Sequence, residues 1–412
     1  MKAFMEKLAK ITEGPQFHLV AVALIVMLTL LAYSNTFTAS FHFDDDPAIS
    51  ENATIKQITA DNIVALIRSN RPITNLSLMF NYAISGLNVI GWHVFNISFH
   101  IANGVLVYLF LFWTFNLPSL KERYADRAPR MALFGALLFA LHPIQTESVT
   151  YIITRSELLA AFFFLATFLF FIKGATTGKF KYYVFAFVTS LLAMGSKEWA
   201  ATLPAMLFLY DYLFIAQGKL KSMRARWKAY VLLLLPWGLI AYIMTFYIGA
   251  TSAGFSISGQ KGITPITYLL TSFNVIWMYI RLLFLPINQN LDYDYPLATT
   301  LFAFPTLLSF IGHIAVIGTA FWLYKKKGRL LIPFGVAWFY ITLTPTQSFV
   351  PILDVIFEHR LYLPSIGFFI AFIAGYEAFF DRVAGKKTER PPNKAGVKLQ
   401  GKKGRVKKQI AV

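Results

Sequence analysis

Apolar residues run along this chain in long unbroken blocks, not in alternation. The first block, 17–36, has about the ~20 residues that cross a hydrocarbon core. It lacks the small-residue cleavage site of a removed leader, so it reads as a retained first span. Further apolar blocks lie near 93–116, 131–147, 153–172, 182–195, 200–216, 229–249, 305–324, 330–346 and 363–380. Between the first block and the second, roughly 39–92, the pattern is mixed and predicts a long loop with interfacial helices. The block 263–286 is apolar too. Counting it as a span would turn Lys325–Lys327 to the wrong side, so it reads as a re-entrant or interfacial helix carrying Arg281. The pattern predicts ten spans, or eleven if that block crosses.

Charge then orients the bundle. Lys2, Lys7 and Lys10 precede the first span. Basic residues gather again at Lys121, Arg123, Arg127 and Arg130, at Lys173, Lys179 and Lys181, at 219–228, and at Lys325–Arg329. The positive-inside rule puts all of these, and the N-terminus, in the cytoplasm. The remaining loops then share the outer face. After Asp381 the chain changes in kind, with eleven Lys or Arg residues opposed only by Glu389, and with Pro391 and Pro392 against helix. The reading is a membrane domain over 1–381, with outer loop 37–92, and a basic, disordered cytoplasmic tail over 382–412. That tail would lie on anionic lipid. Nucleic acid is not expected, because no folded domain or aromatic platform adjoins the tail.

Composition sharpens the class. The chain has 412 residues, 57% apolar and 14% charged. A soluble domain is nearer 45–50% apolar and 25% charged. Continuous blocks also exclude a lipid-facing β-barrel, whose strands alternate. The fold class is all-α and polytopic, in a plasma (inner) membrane. Cysteine is absent, which removes thiolate nucleophiles, disulfides and Cys-based metal sites. The net charge of +18 divides between the tail and the cytoplasmic loops.

Ionisable residues near membrane depth are functional candidates, and here they collect on the outer face. Asp44, Asp45 and Asp46 follow the first span, flanked by Phe41 and Phe43. Adjacent carboxylates repel and raise one another's pKa, so they suit a general base, a divalent-ion site, or both; the plain alternative is a solvated turn. Arg71 before Pro72 is either a phosphate-holding fork or a snorkelling interfacial arginine. His93, Asn96, His100 and Asn103 share one helical face. His93 and Asn96 sit where a substrate or metal could be met, while His100 and Asn103 suit interhelical hydrogen bonds. After His142, Glu147, Tyr151 and Arg155 recur at steps of four, with Glu157 close by; the alternative is an internal Glu–Arg pair. Ser196, Lys197 and Glu198 cap another outer turn, where the serine fits a helix start. Asp292, Asp294, Glu358, His359 and Arg360 complete the set. No Walker loop, dinucleotide fingerprint, HExxH or GxSxG occurs. Three matches to the N-glycosylation pattern, at Asn52, Asn75 and Asn96, carry little weight.

These clusters, in this order, resemble a known family. The stretches FHFDDDPAISENATI, RPITNLS, WHVFNISFHIANG, LHPIQTESVTYIITRSELLA, SKEWAATLPAMLFLYD, NLDYDYP and EHRLYLPSIGF look like the multispanning O-mannosyltransferases with C-terminal TPR repeats and their bacterial relatives, of the GT-C superfamily. The likeness runs from about Phe17 to Gly367. The family's acidic pair falls on Asp44 and Asp45, its HP..TE turn on His142, Pro143, Thr146 and Glu147, and its R.ELL on Arg155 and Glu157. Here a basic tail stands where TPR repeats would follow, and His359 separates Glu358 from Arg360.

The resemblance implies a GT-C-like fold and transfer of a sugar, mannose in the family, from a polyprenyl-phosphate donor to an acceptor hydroxyl at the outer, periplasmic face. One of Asp44 or Asp45 would take the acceptor's proton, with inversion at the anomeric carbon. Arg71, Arg155, Lys197 and Arg360 would meet the phosphate charge. The acceptor would be a protein or a glycan. Mg²⁺ or Mn²⁺ at Asp44, Asp45 and Asp46 stays open. Two other classes compete: a flippase or transporter of a lipid-linked sugar, and a glycan polymerase or ligase. Charges crowded on one face disfavour the first, and the acidic cluster after span one disfavours the second.

Overall fold

The computed structural model describes residues 16–243, 263–352 and 354–383. The N-terminal lysines and the basic tail predicted to touch lipid lie outside the described residues. The described chain is an all-α membrane protein with no strand. Its main helices are α1 (Gln16–Ala32), α2 (Pro72–Ser85), α3 (Val89–Phe115), α4 (Ala128–Leu141), α5 (Arg155–Thr177), α6 (Lys181–Met194), α7 (Leu203–Tyr210), α8 (Trp227–Ile243), α9 (Pro265–Phe284), α10 (Phe304–Lys327), α11 (Leu331–Leu343) and α12 (Pro364–Val383).

Among the described residues four helical stretches are long and apolar enough to cross a membrane: Val89–Phe115, Ile152–Thr177, Pro265–Phe284 and Phe304–Lys327. Shorter apolar helices, α1, α6 and α11 among them, fill the bundle. Start and stop signals are local. The Asn88 side chain accepts from the Ile90 N–H to open α3, and Thr264 with Thr267 makes a capping box before Pro265. Gly178 at φ 69° and Gly328 at φ 61° take the left-handed turn that closes α5 and α10.

Helix association in lipid depends on close packing and interhelical hydrogen bonds. The centre is aromatic: the Trp338 ring lies 5.6 Å from Phe110, 5.6 Å from Phe164 and 5.2 Å from Phe168. The polar stripe of α3 is fully buried. His100 donates from Nε2 to the Ala140 carbonyl (2.9 Å), which leaves Nδ1 to accept from the Tyr362 hydroxyl (2.7 Å). Asn103 donates to the Leu158 carbonyl at 2.9 Å. Helices α11 and α12 meet through glycines: a Cβ at Gly367 would lie 2.5 Å from the Gly335 carbonyl oxygen and 2.8 Å from the Phe339 nitrogen. Gly367→Ala is therefore expected to lower the melting temperature, at a cost of about 1–3 kcal/mol for overpacking. Gly375→Ala, with open space around it, is the control. It is expected to hold or gain stability, by up to about 1 kcal/mol, through helix propensity.

Connections alternate between two ends of the bundle. One end, the polar end, collects 37–88, 142–154, 195–202, 285–303 and 344–363. Backbone bonds tie it across the sequence, such as Ile73 N–H to the Gly195 carbonyl (2.9 Å). The loop 37–92 is largely helical and builds its own small core from Ile49, Ile55, Leu66, Leu78, Met79 and Trp92 with Ile152. Helix α9 is bonded to this end along its length. Tyr268 donates to the Thr346 carbonyl (2.6 Å), Tyr279 to the Phe357 carbonyl (2.8 Å), and the Leu283 carbonyl meets His142 (3.2 Å). It is also bonded to α10, where Trp277 donates to the Ser309 carbonyl (2.8 Å) and His313 meets the Phe273 carbonyl (2.9 Å), and it is one of the four stretches long and apolar enough to cross.

Candidate active site

Two cavities open at the polar end. The first, about 380 Å³, is lined by Ser40, His42, Asp45, Glu147, Tyr151, Asn290 and Glu358 among others. The second, about 360 Å³, is lined by Ser69, Asn70, Arg71, Thr74, Asn75, Ile153 and Glu198.

Asp45 forms part of the boundary between them. Its side chain lines the first cavity, and its Oδ1 accepts from the backbone N–H of Ile153 (2.8 Å), a residue that lines the second. Its Oδ2 accepts from the His42 N–H at 3.2 Å. Burial pushes this carboxyl up to about 6, against the pull of those backbone donors. The turn that presents it is strained: Phe43 sits at φ 48°, in the left-handed region that a side chain resists. Its neighbours are pinned, since the Asp44 N–H donates to the Tyr151 hydroxyl at 2.8 Å. Asp44 and Asp46 are exposed, and Asp46 accepts from the Ser50 hydroxyl at 2.6 Å.

The three aspartates do not fit a divalent ion, which needs several oxygens converging at about 2.0–2.6 Å. Both Asp45 oxygens already accept backbone N–H groups, Asp46 turns to Ser50, and among the described residues no three His, Asp or Glu side chains are grouped to hold a metal.

Glu147 faces the first cavity from the short helix Thr146–Thr150. One residue holds both its oxygens: His359 offers its backbone N–H to Oε2 (2.8 Å) and its Nδ1 to Oε1. Burial raises Glu147 to about 7 and holds His359 well below its ordinary value, aided there by Lys197. Behind them lies Glu157, fully buried, which accepts from Lys197 Nζ (2.5 Å) and Trp199 Nε1 (2.5 Å). Burial lowers Lys197, and Glu157 opposes that shift.

The predicted Glu147–Tyr151–Arg155 face does not form. Tyr151 is extended (φ −74°, ψ 114°), which ends the Thr146–Thr150 helix before a 3-10 turn over Ile152–Thr154 leads into α5. The three side chains therefore diverge, and Glu147 pairs with His359 in place of Arg155. Arg155 is fully buried and faces neither cavity. Its donors go to Asn96 Oδ1 (3.1 Å), the Ser77 carbonyl (3.2 Å) and Asn81 Oδ1 (2.6 Å), with Phe95 4.0 Å beneath. Asn96 and His93 are likewise structural here: Asn96 donates to the Val149 and Ile152 carbonyls, and His93 bonds the Ala39 carbonyl at 2.9 Å. His142 accepts the Ile144 N–H on Nδ1 (3.1 Å) and lines neither cavity. Ser196 caps no helix; its hydroxyl turns back to the Leu192 carbonyl.

Arg71 grips Glu198 with two parallel bonds of 2.9 and 3.0 Å. Glu358 gathers Gln289, the Asn290 N–H (2.9 Å) and the Tyr293 hydroxyl, and so holds the irregular 285–303 loop over the first cavity. Asp292 and Asp294 alternate outward from that loop and are exposed. Arg360 donates from Nη2 to the Asp354 carbonyl (2.7 Å), while its buried Nη1 has no acceptor among the described residues. Residues absent from the predicted set are Gln289, Asn290, Trp199 and Asp354, while His359, expected within the outer cluster Glu358–Arg360, proves to be the partner of Glu147. No periodic signal marks them; tertiary contact brings them in.

Comparison with known proteins finds no matching family model and no matching solved structure. It does find curated relatives. Protein O-mannosyl-transferase TMTC4 of Homo sapiens is 32% identical over 215 residues, 46% of this chain and 29% of its own length. TMTC4 of Mus musculus is 27% identical over 426 residues, 89% of this chain and 57% of its own length. Protein O-mannosyl-transferase tmtc2 of Xenopus laevis is 27% identical over 307 residues, 67% of this chain and 35% of its own length. The chain thus spans roughly a quarter to just over half the length of these relatives. It is similar, across most of its length, to animal proteins named as protein O-mannosyl-transferases.

Proposed function

We propose that the chain is a membrane glycosyltransferase that moves a sugar, mannose by likeness to its relatives, from a polyprenyl-phosphate donor to an acceptor hydroxyl. The observation that carries this reading is Asp45, a buried carboxylate that burial raises to about 6, between two cavities. An acceptor hydroxyl entering the first cavity reaches Asp45, which takes its proton as the oxygen attacks the anomeric carbon. The bond from that carbon to the phosphate oxygen breaks on the opposite side, so the centre inverts and polyprenyl phosphate leaves. Asp45, Glu147 and Glu358 repel a phosphate from the first cavity, which suits that cavity to the acceptor. Arg71, which lines the second cavity, would meet the phosphate charge there. Lys197 serves indirectly by holding Glu157.

The membrane supplies the logic of the fold, because a lipid tail must stay in hydrocarbon while its headgroup reacts at the surface. In this reading the polar end faces outward from a plasma membrane, with both termini in the cytoplasm, and the acceptor is a protein or glycan.

The test is reconstitution in vesicles with polyprenyl-phosphate mannose and a Ser/Thr-rich acceptor peptide. Glycosylated peptide is the expected product. Movement of lipid-linked sugar across the bilayer with no new glycoside would overturn the reading in favour of a transporter.

A further inference from the structure

The opposite end of the bundle carries a second cluster of charge, far along α3, α4 and α12 from the cavities. Arg123 and Arg127 lie in the connection between α3 and α4, and Glu377 and Asp381 on the last turns of α12. Arg127 bonds Glu377 at 3.0 Å and Asp381 at 3.3 Å, and Arg123 lies 3.5 Å from Asp381. Arg329, just after α10, joins them: Arg123, Glu377 and Arg329 all act electrostatically on the Tyr124 hydroxyl, and the Arg123 guanidinium sits 5.2 Å from that ring's centre.

Three guanidinium groups here face two carboxylates. The pairing is also incomplete: Arg123 Nε and Nη2 and Arg329 Nη1 are buried without a hydrogen-bond acceptor among the described residues. Arg329 has no ion pair there either. Buried donors of this kind are rarely left unmet, and their planar forks match phosphate oxygens. Basic pockets between helices at a membrane surface take lipid headgroups for this reason.

We infer that Arg123, Arg127 and Arg329 form a phosphate-oxygen site for an anionic lipid headgroup at the end of the bundle opposite the cavities. Arg127 bonds one oxygen of each carboxylate, and the free N–H groups of Arg123 and Arg329 donate to the phosphate oxygens. The site needs nothing from the proposed transfer reaction and stands or falls without it.

The test is native mass spectrometry of the full chain released from detergent after incubation with phosphatidylglycerol or phosphatidylcholine. Wild type is expected to retain about tenfold more of the anionic lipid. Arg329→Gln, which breaks no ion pair, is expected to bring the two lipids within about twofold. Arg329→Lys is expected to keep part of the preference, since it keeps the charge but loses the fork. Lys402→Gln with Lys403→Gln, in the basic tail, is expected to keep it in full. Equal retention by wild type and Arg329→Gln would overturn the site, and so would loss of the preference in the tail variant alone. Inorganic phosphate alone is the other arm. If it raised the melting temperature of wild type, but not of Arg329→Gln, as much as the lipid does, the ligand would be soluble phosphate and the lipid assignment would be wrong.

Discussion

Asp45→Asn is expected to slow sugar transfer by about 10²–10⁴-fold, the usual worth of a positioned general base. Asp44→Asn is expected to leave the rate close to wild type. The two neighbours differ in position, not in chemistry. Asp45 is 1% exposed and lines the first cavity, while Asp44 faces solvent and contributes its backbone N–H to Tyr151. The pH profile carries the same assignment. A base whose carboxyl is lifted to about 6 must be ionised to work, so kcat/KM should rise with pH and level off above about 6. Comparable rates for both variants would exclude Asp45 as the base.

Stability should move the other way. The folded carboxyl sits at about 6 against an ordinary 3.8, so the folded state holds a proton that the unfolded chain releases. Stability is then greatest below the unfolded value and is lost as pH rises through the folded one. The loss is about 3 kcal/mol by neutrality. Asn at position 45 carries no such penalty. The variant should therefore gain on wild type in melting temperature between pH 4.5 and pH 7 while it loses activity.

Lys197→Met is expected to be the most destabilising single change at the site. Glu157 is 1% exposed and takes one oxygen to Lys197 and the other to Trp199. Removing the ammonium leaves a buried carboxylate bonded only by an indole N–H, with His359 Nε2 3.9 Å away, and stranding one partner of such a pair costs about 3–5 kcal/mol. The double variant Lys197→Met with Glu157→Gln should recover most of that, since the stranded charge is gone. Thermal unfolding of the three variants in detergent reads the result. A single variant that melts with wild type would show that the pair does not hold this part of the fold.

Much of this arrangement was legible from the pattern of residues. The all-α class, the gathering of ionisable groups at one end, and the single face shared by His93, Asn96, His100 and Asn103 follow from hydropathy and helical period alone. What period cannot supply is a partner remote in sequence. The family resemblance implies a phosphate-binding role for Arg155, and its spacing from Glu147 offers an internal ion pair instead. In the fold, the extended Tyr151 turns it toward α3 and neutral acceptors. Arg71 and Glu198 are 127 residues apart, and Glu147 and His359 are 212 apart. No local signal predicts either pair. The choice between Asp44 and Asp45 depends on a left-handed Phe43 that propensity alone would not suggest.

The grip of Glu358 on Gln289, Asn290 and Tyr293 has an evolutionary consequence. It fastens the root of the 285–303 loop with one carboxylate and leaves Asp292 and Asp294 projecting beyond it. Exchanges at the exposed Asp292 and Asp294 can therefore change the charge beside the cavity mouth without touching the contacts that hold Asp45 or Glu147. In the proposed reaction, chains that differ there would admit different acceptors while Asp45 stays in place.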